Sequence, residues 1–216
     1  MKELIDDGDI DPKKVWFTDE AHFYLDGYVN RQNFRIWGTE NPHMTVVKPL
    51  HPKKVTVWCA MCATGIIGPY FFEDTVNGIR YMEMMKTFFF PKIEQHEKAS
   101  DYWFMQDGAP PHRKTEVFDC LKEKFQYRLI ALNAGPDLLE WPPYSPDLNP
   151  CDFFLWGYLK DNLYETPIKD TEDLKLRIKS HIEAIPTTML SRVVDSFEMR
   201  LQEVIDKKGG HIEIFH

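Results

Sequence analysis

The chain has 216 residues, 43% of them hydrophobic and 28% charged, enough for one globular domain with a sizeable core. No run approaches the roughly 20 apolar residues of a membrane helix, and the start, Met1 to Asp7, is too acidic for a signal or transit peptide, so a soluble, intracellular protein is expected. The formal net charge of −8 argues against a nucleic-acid surface of the usual lysine- and arginine-rich kind, although an acidic metal site partly escapes that objection because bound cations neutralise some of its carboxylates.

Short β-branched and aromatic runs fill the first half. Lys14 to Phe17, Asn33 to Trp37 and Val55 to Met61 read as strands, and Ile66 to Phe72 as the return of the third across Ala63-Thr64-Gly65, an antiparallel meander. Four cysteines, at 59, 62, 120 and 151, lack the spacing of a disulfide framework. Cys59 and Cys62 form a CxxC, but residues three apart on a strand face opposite ways and no second ligand pair completes a zinc site, so both are assigned to packing.

From Asn77 the period becomes helical, with Ile79, Met82, Met85, Phe89 and Ile93 in step until Pro91 kinks or ends the helix. A strand at Tyr102 to Met105, an amphipathic helix at Thr115 to Phe125 and a strand at Tyr127 to Leu132 follow. Asn133 to Cys151, rich in Pro, Asp and Asn, reads as a long loop. Helices at Asp152 to Leu163, Glu172 to Ile185 and Thr187 to Lys207 close the chain; Leu174, Ile178, His181, Ile182 and Ile185 form one inward stripe, and Leu190, Val193, Val194, Phe197, Leu201 and Ile205 another. This order of elements is that of an α/β, RNase H-like fold: a mixed five-stranded sheet flanked by helices, with extra C-terminal helices. Order alone carries no function.

Three carboxylates stand at strand ends or a helix start. Asp19 ends the first strand in Thr18-Asp19-Glu20-Ala21-His22-Phe23, Asp107 follows Phe104-Met105-Gln106, and Asp152 opens a helix after Ser145-Pro146-Asp147-Leu148-Asn149-Pro150-Cys151. Neighbouring strand ends and a helix packed on the sheet can bring such groups together, and paired hard cations roughly 3.5 to 4 Å apart require oxygen ligands of this kind. Spacing alone leaves each Asp open to an ordinary turn or N-cap role.

The segments around them resemble the signature blocks of the Tc1/mariner transposases: TDEAHF at 18–23 with NFRIWGTENP at 33–42, MQDGAPPH at 105–112, and WPPYSPDLNPCDFFLWGYLK at 141–160. The resemblance implies a DD(D/E) catalytic domain that cuts and joins DNA strands, with Asp19, Asp107 and Asp152 as catalytic residues and ligands of two Mg²⁺ or Mn²⁺ ions. Asp147 belongs to the turn before the third ligand, and a final Asp places the chain with the mariner-like Asp-Asp-Asp type. Positions 107 and 152 leave 44 residues between them, longer than in the best-known branches, with Ala131 to Glu140 as the extra length. The resemblance also implies double-stranded DNA (transposon ends and target) as partner, a possible homodimer, and the nucleus as location.

Residues 1–216 read as a single catalytic domain without the helix-turn-helix modules that bind transposon ends, as in a fragment, a truncated copy or a product that has lost sequence-specific binding. The alternative is a catalytically silent remnant serving as an interaction subunit; a nuclease of RNA–DNA hybrids is a further rival. Glu20, adjacent to Asp19 and therefore facing away, is given a structural role; His112 is open between orienting substrate phosphate, proton transfer and a turn role. His22, His43 and His51 are read as structural, and the aromatic group Phe153, Phe154, Trp156 and Tyr158 as packing.

Overall fold

The computed structural model describes residues 1–25, 27, 53–96, 99–133 and 135–212. Among these, a mixed sheet in the order β3-β2-β1-β4-β5-β6 is built from β1 (Val15–Tyr24), β2 (Lys54–Cys62), β3 (Gly65–Phe72), β4 (Trp103–Met105), β5 (Leu129–Ala131) and β6 (Leu139–Glu140). The meander β1-β2-β3 is antiparallel, and β4, β5 and β6 add in parallel beyond β1. The expected strand at Asn33 to Trp37 lies outside the described residues.

Two apolar layers cover the sheet, and the alternation of β2 divides them. Val55, Val57, Cys59 and Met61 face one side, where α5 (Trp156–Leu163), α6 (Thr171–Glu183) and α7 (Thr187–Asp206) supply Leu159, Leu163, Leu174, Ile178, Ile182, Leu190 and Val194. Trp58, Ala60 and Cys62 face the other, against Tyr81, Met84, Met85 and Phe89 of the α2–α3 segment and Val117, Leu121 and Phe125 of α4 (Thr115–Phe125). Cys59 and Cys62 are thus buried in opposite layers, as a strand spacing of three demands. A third cluster joins Ile5 of α1 (Lys2–Asp6), a helix absent from the sequence reading, to Val15, Phe17, Phe197 and Leu201.

Several expectations are corrected. Among the described residues the sheet has six strands rather than five, because Leu139 and Glu140, inside the segment read as loop, pair with Ile130 and Ala131. The helix after Asn77 is α2 (Gly78–Met84), a π-helical turn at Met85–Phe89, and α3 (Phe90–Glu94). Pro91 therefore sits in the first turn of α3, where its missing N–H is tolerated. The inward stripe there is Tyr81, Met84, Met85, Phe89 and Ile93, whereas Ile79 is 74% exposed. Ile205, near the end of α7, is likewise exposed.

Candidate active site

β1 is longer than expected, so Asp19 lies mid-strand rather than at its end. What ends nearby is the partner: β4 pairs with β1 only from Val15↔Trp103 to Phe17↔Met105. Two residues further along both chains are Asp19 and Asp107, which the parallel register sets side by side where the sheet opens. Asp19 is opposite Cys59 and shares its face, toward α5; Glu20 is opposite Trp58 and shares its face, toward α2.

The third carboxylate is brought in by the turn before it. Asn149, buried, donates from Nδ2 to the Thr18 carbonyl (3.2 Å) and accepts at Oδ1 from the Cys151 N–H (3.1 Å), while Cys151 Sγ reaches the Phe17 carbonyl (3.4 Å). The loop is thereby bonded to the strand that carries Asp19. Asp152 then enters a π-helical turn, Cys151–Leu155, that runs into α5. Asp147 is directed elsewhere: its Oδ2 accepts from the Ile212 N–H (3.2 Å) and pairs with His211, and its carbonyl accepts from Arg200 (3.1 Å).

Asp19, Asp107 and Asp152 all line one cavity of 580 Å³, together with Glu20, Arg113 and Trp141. Burial first, then the charges of Asp152 and Glu20, hold Asp19 well above the usual carboxylate range. Asp152 is open to the cavity's solvent, yet desolvation by its walls and the charge of Asp107 push it up to about 6. Neither has an ion-pair partner among the described residues.

Asp107 is satisfied differently. Its Oδ1 accepts from the Ala109 N–H (3.0 Å) and lies 2.6 Å from His112 Nδ1. Burial works against its charged form, but His112, the Ala109 N–H and Arg113 outweigh it and hold the carboxyl below its ordinary value. His112, 2% exposed, meets Glu20 Oε1 at 3.2 Å through its other nitrogen. Burial disfavours its charge, yet Glu20 and Asp107 together raise it to about 10. As the side chains stand, no group of three or more His, Cys, Asp or Glu among the described residues is drawn together closely enough to hold an ion. The structure thus sets Asp19, Asp107 and Asp152 on one cavity, with Asp107 turned toward His112.

Two residues of the site were missed in the sequence. Trp156, assigned to packing, donates from its indole Nε1 to Asp19 Oδ2 at 2.7 Å. It stands four residues after Asp152, one turn along the same helical face, which is the signal that links them. Asn149 was passed over as turn chemistry. Of the histidines read as structural, His22 contacts Thr56 Oγ1 at 3.0 Å, and His43 and His51 lie outside the described residues.

The chain matches the family described as DDE superfamily endonuclease over residues 14–175. It is 29% identical over 205 residues to the Tc3 transposase of Caenorhabditis elegans, covering 92% of this chain and 57% of that protein, and 27% identical over 200 residues to the Tc1 transposase of the same organism, covering 91% and 68%. The chain thus spans a little over half the length of the Tc3 relative. Among solved structures, its fold is similar to a Mos1 transposase paired-end complex with left transposon end (TM-score 0.75, 19% identity, 93% of this chain and 57% of that one) and to the Mos1 transposase catalytic domain with Raltegravir and Mg (TM-score 0.72, 18% identity, 98% and 91%). The match to that family over residues 14–175, on a sheet that brings three carboxylates to one cavity, makes the chain a member of the DDE superfamily endonucleases, similar in sequence to the Tc1 and Tc3 transposases.

Proposed function

We propose that this chain is the catalytic domain of a cut-and-paste DNA transposase, hydrolysing DNA phosphodiesters and transferring strands, with Asp19, Asp107 and Asp152 as its catalytic, metal-ligating residues. The observation that carries this reading is the convergence of Asp19, Asp107 and Asp152 on one cavity, where Asp19 and Asp152 are both perturbed upward and have no ion-pair partner among the described residues. Like charges so placed repel, and a hard divalent cation is the partner that oxygen-only donors select. The donor set therefore fits Mg²⁺ or Mn²⁺, and the names of solved Mos1 structures include both metals.

Two such ions would supply Lewis acidity at phosphorus and a nucleophile of lowered pKa. Asp19 and Asp152 offer the neighbouring oxygens, and Asp107 keeps Oδ2 free because Oδ1 is already bonded. Trp156 holds Asp19 from the helix side. Arg113, exposed and lining the same cavity, gives an otherwise acidic pocket a cation for a phosphodiester oxygen. The substrate on this reading is double-stranded DNA, both transposon ends and target, handled by a pair of copies in the nucleus. The names of Mos1 paired-end and strand-transfer complexes and the nematode origin of the relatives support that part. The final Asp favours the mariner-like Asp-Asp-Asp type.

Isothermal titration of Mn²⁺ into the chain and into Asp107→Ala and Asp152→Ala, followed by plasmid nicking on the same samples, tests the reading. Binding and nicking in the parent, both lost in the variants, are expected. No millimolar-range binding by the parent, or variants that bind and nick as well as it does, would favour the silent interaction subunit. A fluorescently tagged chain excluded from nuclei would remove the proposed location.

A further inference from the structure

The pleat of β1 separates Asp19 from Glu20, yet Glu20 is tied back to the cavity by a chain of contacts through the other face of the sheet. Its Oε1 meets His112 Nε2 at 3.2 Å, and His112 Nδ1 meets Asp107 Oδ1 at 2.6 Å. An ionised carboxylate only accepts hydrogen bonds, so an imidazole bridging two of them donates from both nitrogens. The ring cannot turn away. Tyr81 lies against it with centroids 4.3 Å apart, the Tyr81 hydroxyl donates to Gln106 Oε1 (3.1 Å), and Gln106 Nε2 donates to the His112 carbonyl (3.1 Å). Tyr81, Gln106 and His112 are all buried.

We propose that His112 is a positioning residue for Asp107, held in place by Glu20, and that the Glu20–His112 pair decides which Asp107 oxygen is presented to the cavity. With Oδ1 engaged by His112 and the Ala109 N–H, Oδ2 is the oxygen left for a divalent cation. Glu20 then acts through His112 and needs no contact with the ion, although it lines the same cavity. The inference rests on the reading of Asp107 as a ligand. It gives functions to two residues that neither a turn nor a strand requires: a buried imidazole at that turn has no structural need of two carboxylates.

Two substitutions separate the nitrogens. In His112→Asn the amide nitrogen occupies roughly the Nδ1 position and keeps the donor toward Asp107; in His112→Gln it occupies roughly the Nε2 position and keeps only the donor toward Glu20. Both lose the ring packed on Tyr81, so a purely structural role predicts equal effects. Titration of Mn²⁺ into the metal-free full chain is expected to show binding weaker by about 10–100-fold in His112→Gln, the loss typical of removing a partner that orients a ligand, and a smaller loss in His112→Asn, which keeps the donor toward Asp107 but gives up the hold of Glu20. Glu20→Gln, which preserves shape, provides a second route should both ring replacements unfold: weaker binding supports the chain of contacts, and unchanged binding overturns it. Equal affinities in His112→Asn and His112→Gln would likewise overturn the positioning role. Asp107→Ala distinguishes the levels. If it binds as the parent does, the ligand reading fails and this inference with it; if it loses binding while His112→Gln keeps it, only the inference fails.

Discussion

At the scale of single residues, Asp19 and Asp107 are held by different donors, Trp156 for the one and His112 with the Ala109 N–H for the other. Trp156 holds Asp19 by one 2.7 Å bond that no aliphatic or phenyl side chain reproduces. Trp156→Phe keeps most of the ring's packing against Phe23 but leaves Asp19 without its indole donor. It is expected to destabilise the metal-free chain by about 1–3 kcal/mol in denaturant unfolding, with weaker Mn²⁺ binding by titration. The opposite sign is expected for Asp152→Asn. Burial, and after it the charge of Asp107, disfavours ionised Asp152, so removing its charge stabilises the metal-free fold on the order of 1 kcal/mol after the screening that an open cavity allows, while Mn²⁺ binding and nicking are lost. A metal-free melting temperature that falls in this variant would show that the ionised carboxyl is not disfavoured at that place. Motif resemblance named Asp19, Asp107 and Asp152, which the fold sets on one cavity, and their catalytic role stays a proposal. Asn149, Trp156 and the pairing of His112 with Glu20 were not legible in the sequence, because each acts across 92 to 137 positions of chain, where neither periodicity nor local turn chemistry reaches.

At the scale of elements, the site depends on how closely segments approach. Gly108, immediately after Asp107, allows the turn to pass over Leu132; a Cβ there would stand 3.1 Å from Leu132 Cβ and collide with the side chain's tip. Gly108→Ala is expected to cost about 1–3 kcal/mol of stability through overpacking and to reduce plasmid nicking more than an equally destabilising substitution in α6, since the displaced atoms line the cavity. Nicking that tracks stability alone in both variants would remove the turn from the site's machinery. Helices α4, α6 and α7 were readable from their apolar period, since each packs one face on the sheet. The strand Leu139–Glu140 was not readable, because two residues carry no period. It exists only where β5 offers a free edge: the Trp141 N–H donates to the Ala131 carbonyl (3.1 Å), and Glu140 Oε1 accepts from the Asn133 N–H (2.8 Å). The added length between the second and third carboxylates therefore extends the sheet, and it seats Trp141, 2% exposed, at the cavity wall.

At the scale of the whole molecule, the proposed function links metal binding to folding, because the three proposed ligands come from β1, the segment after β4 and the turn before α5, and only the folded chain assembles them. Mn²⁺ at a hundred times its dissociation constant is expected to stabilise the fold by about 2.7 kcal/mol, or roughly 5–10 °C in a thermal melt of a chain this size. No shift should appear in Asp107→Ala, and a comparable shift there would place the bound ion elsewhere. A formal charge of −8 gives the chain little net attraction for DNA, which Arg113 and the proposed cations would offset at the cavity. The sheet's outer margin also has a bearing on assembly. Immediately after the pairing of Trp141 come Pro142 and Pro143, which have no N–H to offer, so a foreign strand finds no continuous ladder to extend beside β6. The pairing of copies proposed above would therefore use side-chain surfaces rather than a shared ribbon at that margin, and the same two prolines work against edge-to-edge pairing of free copies there.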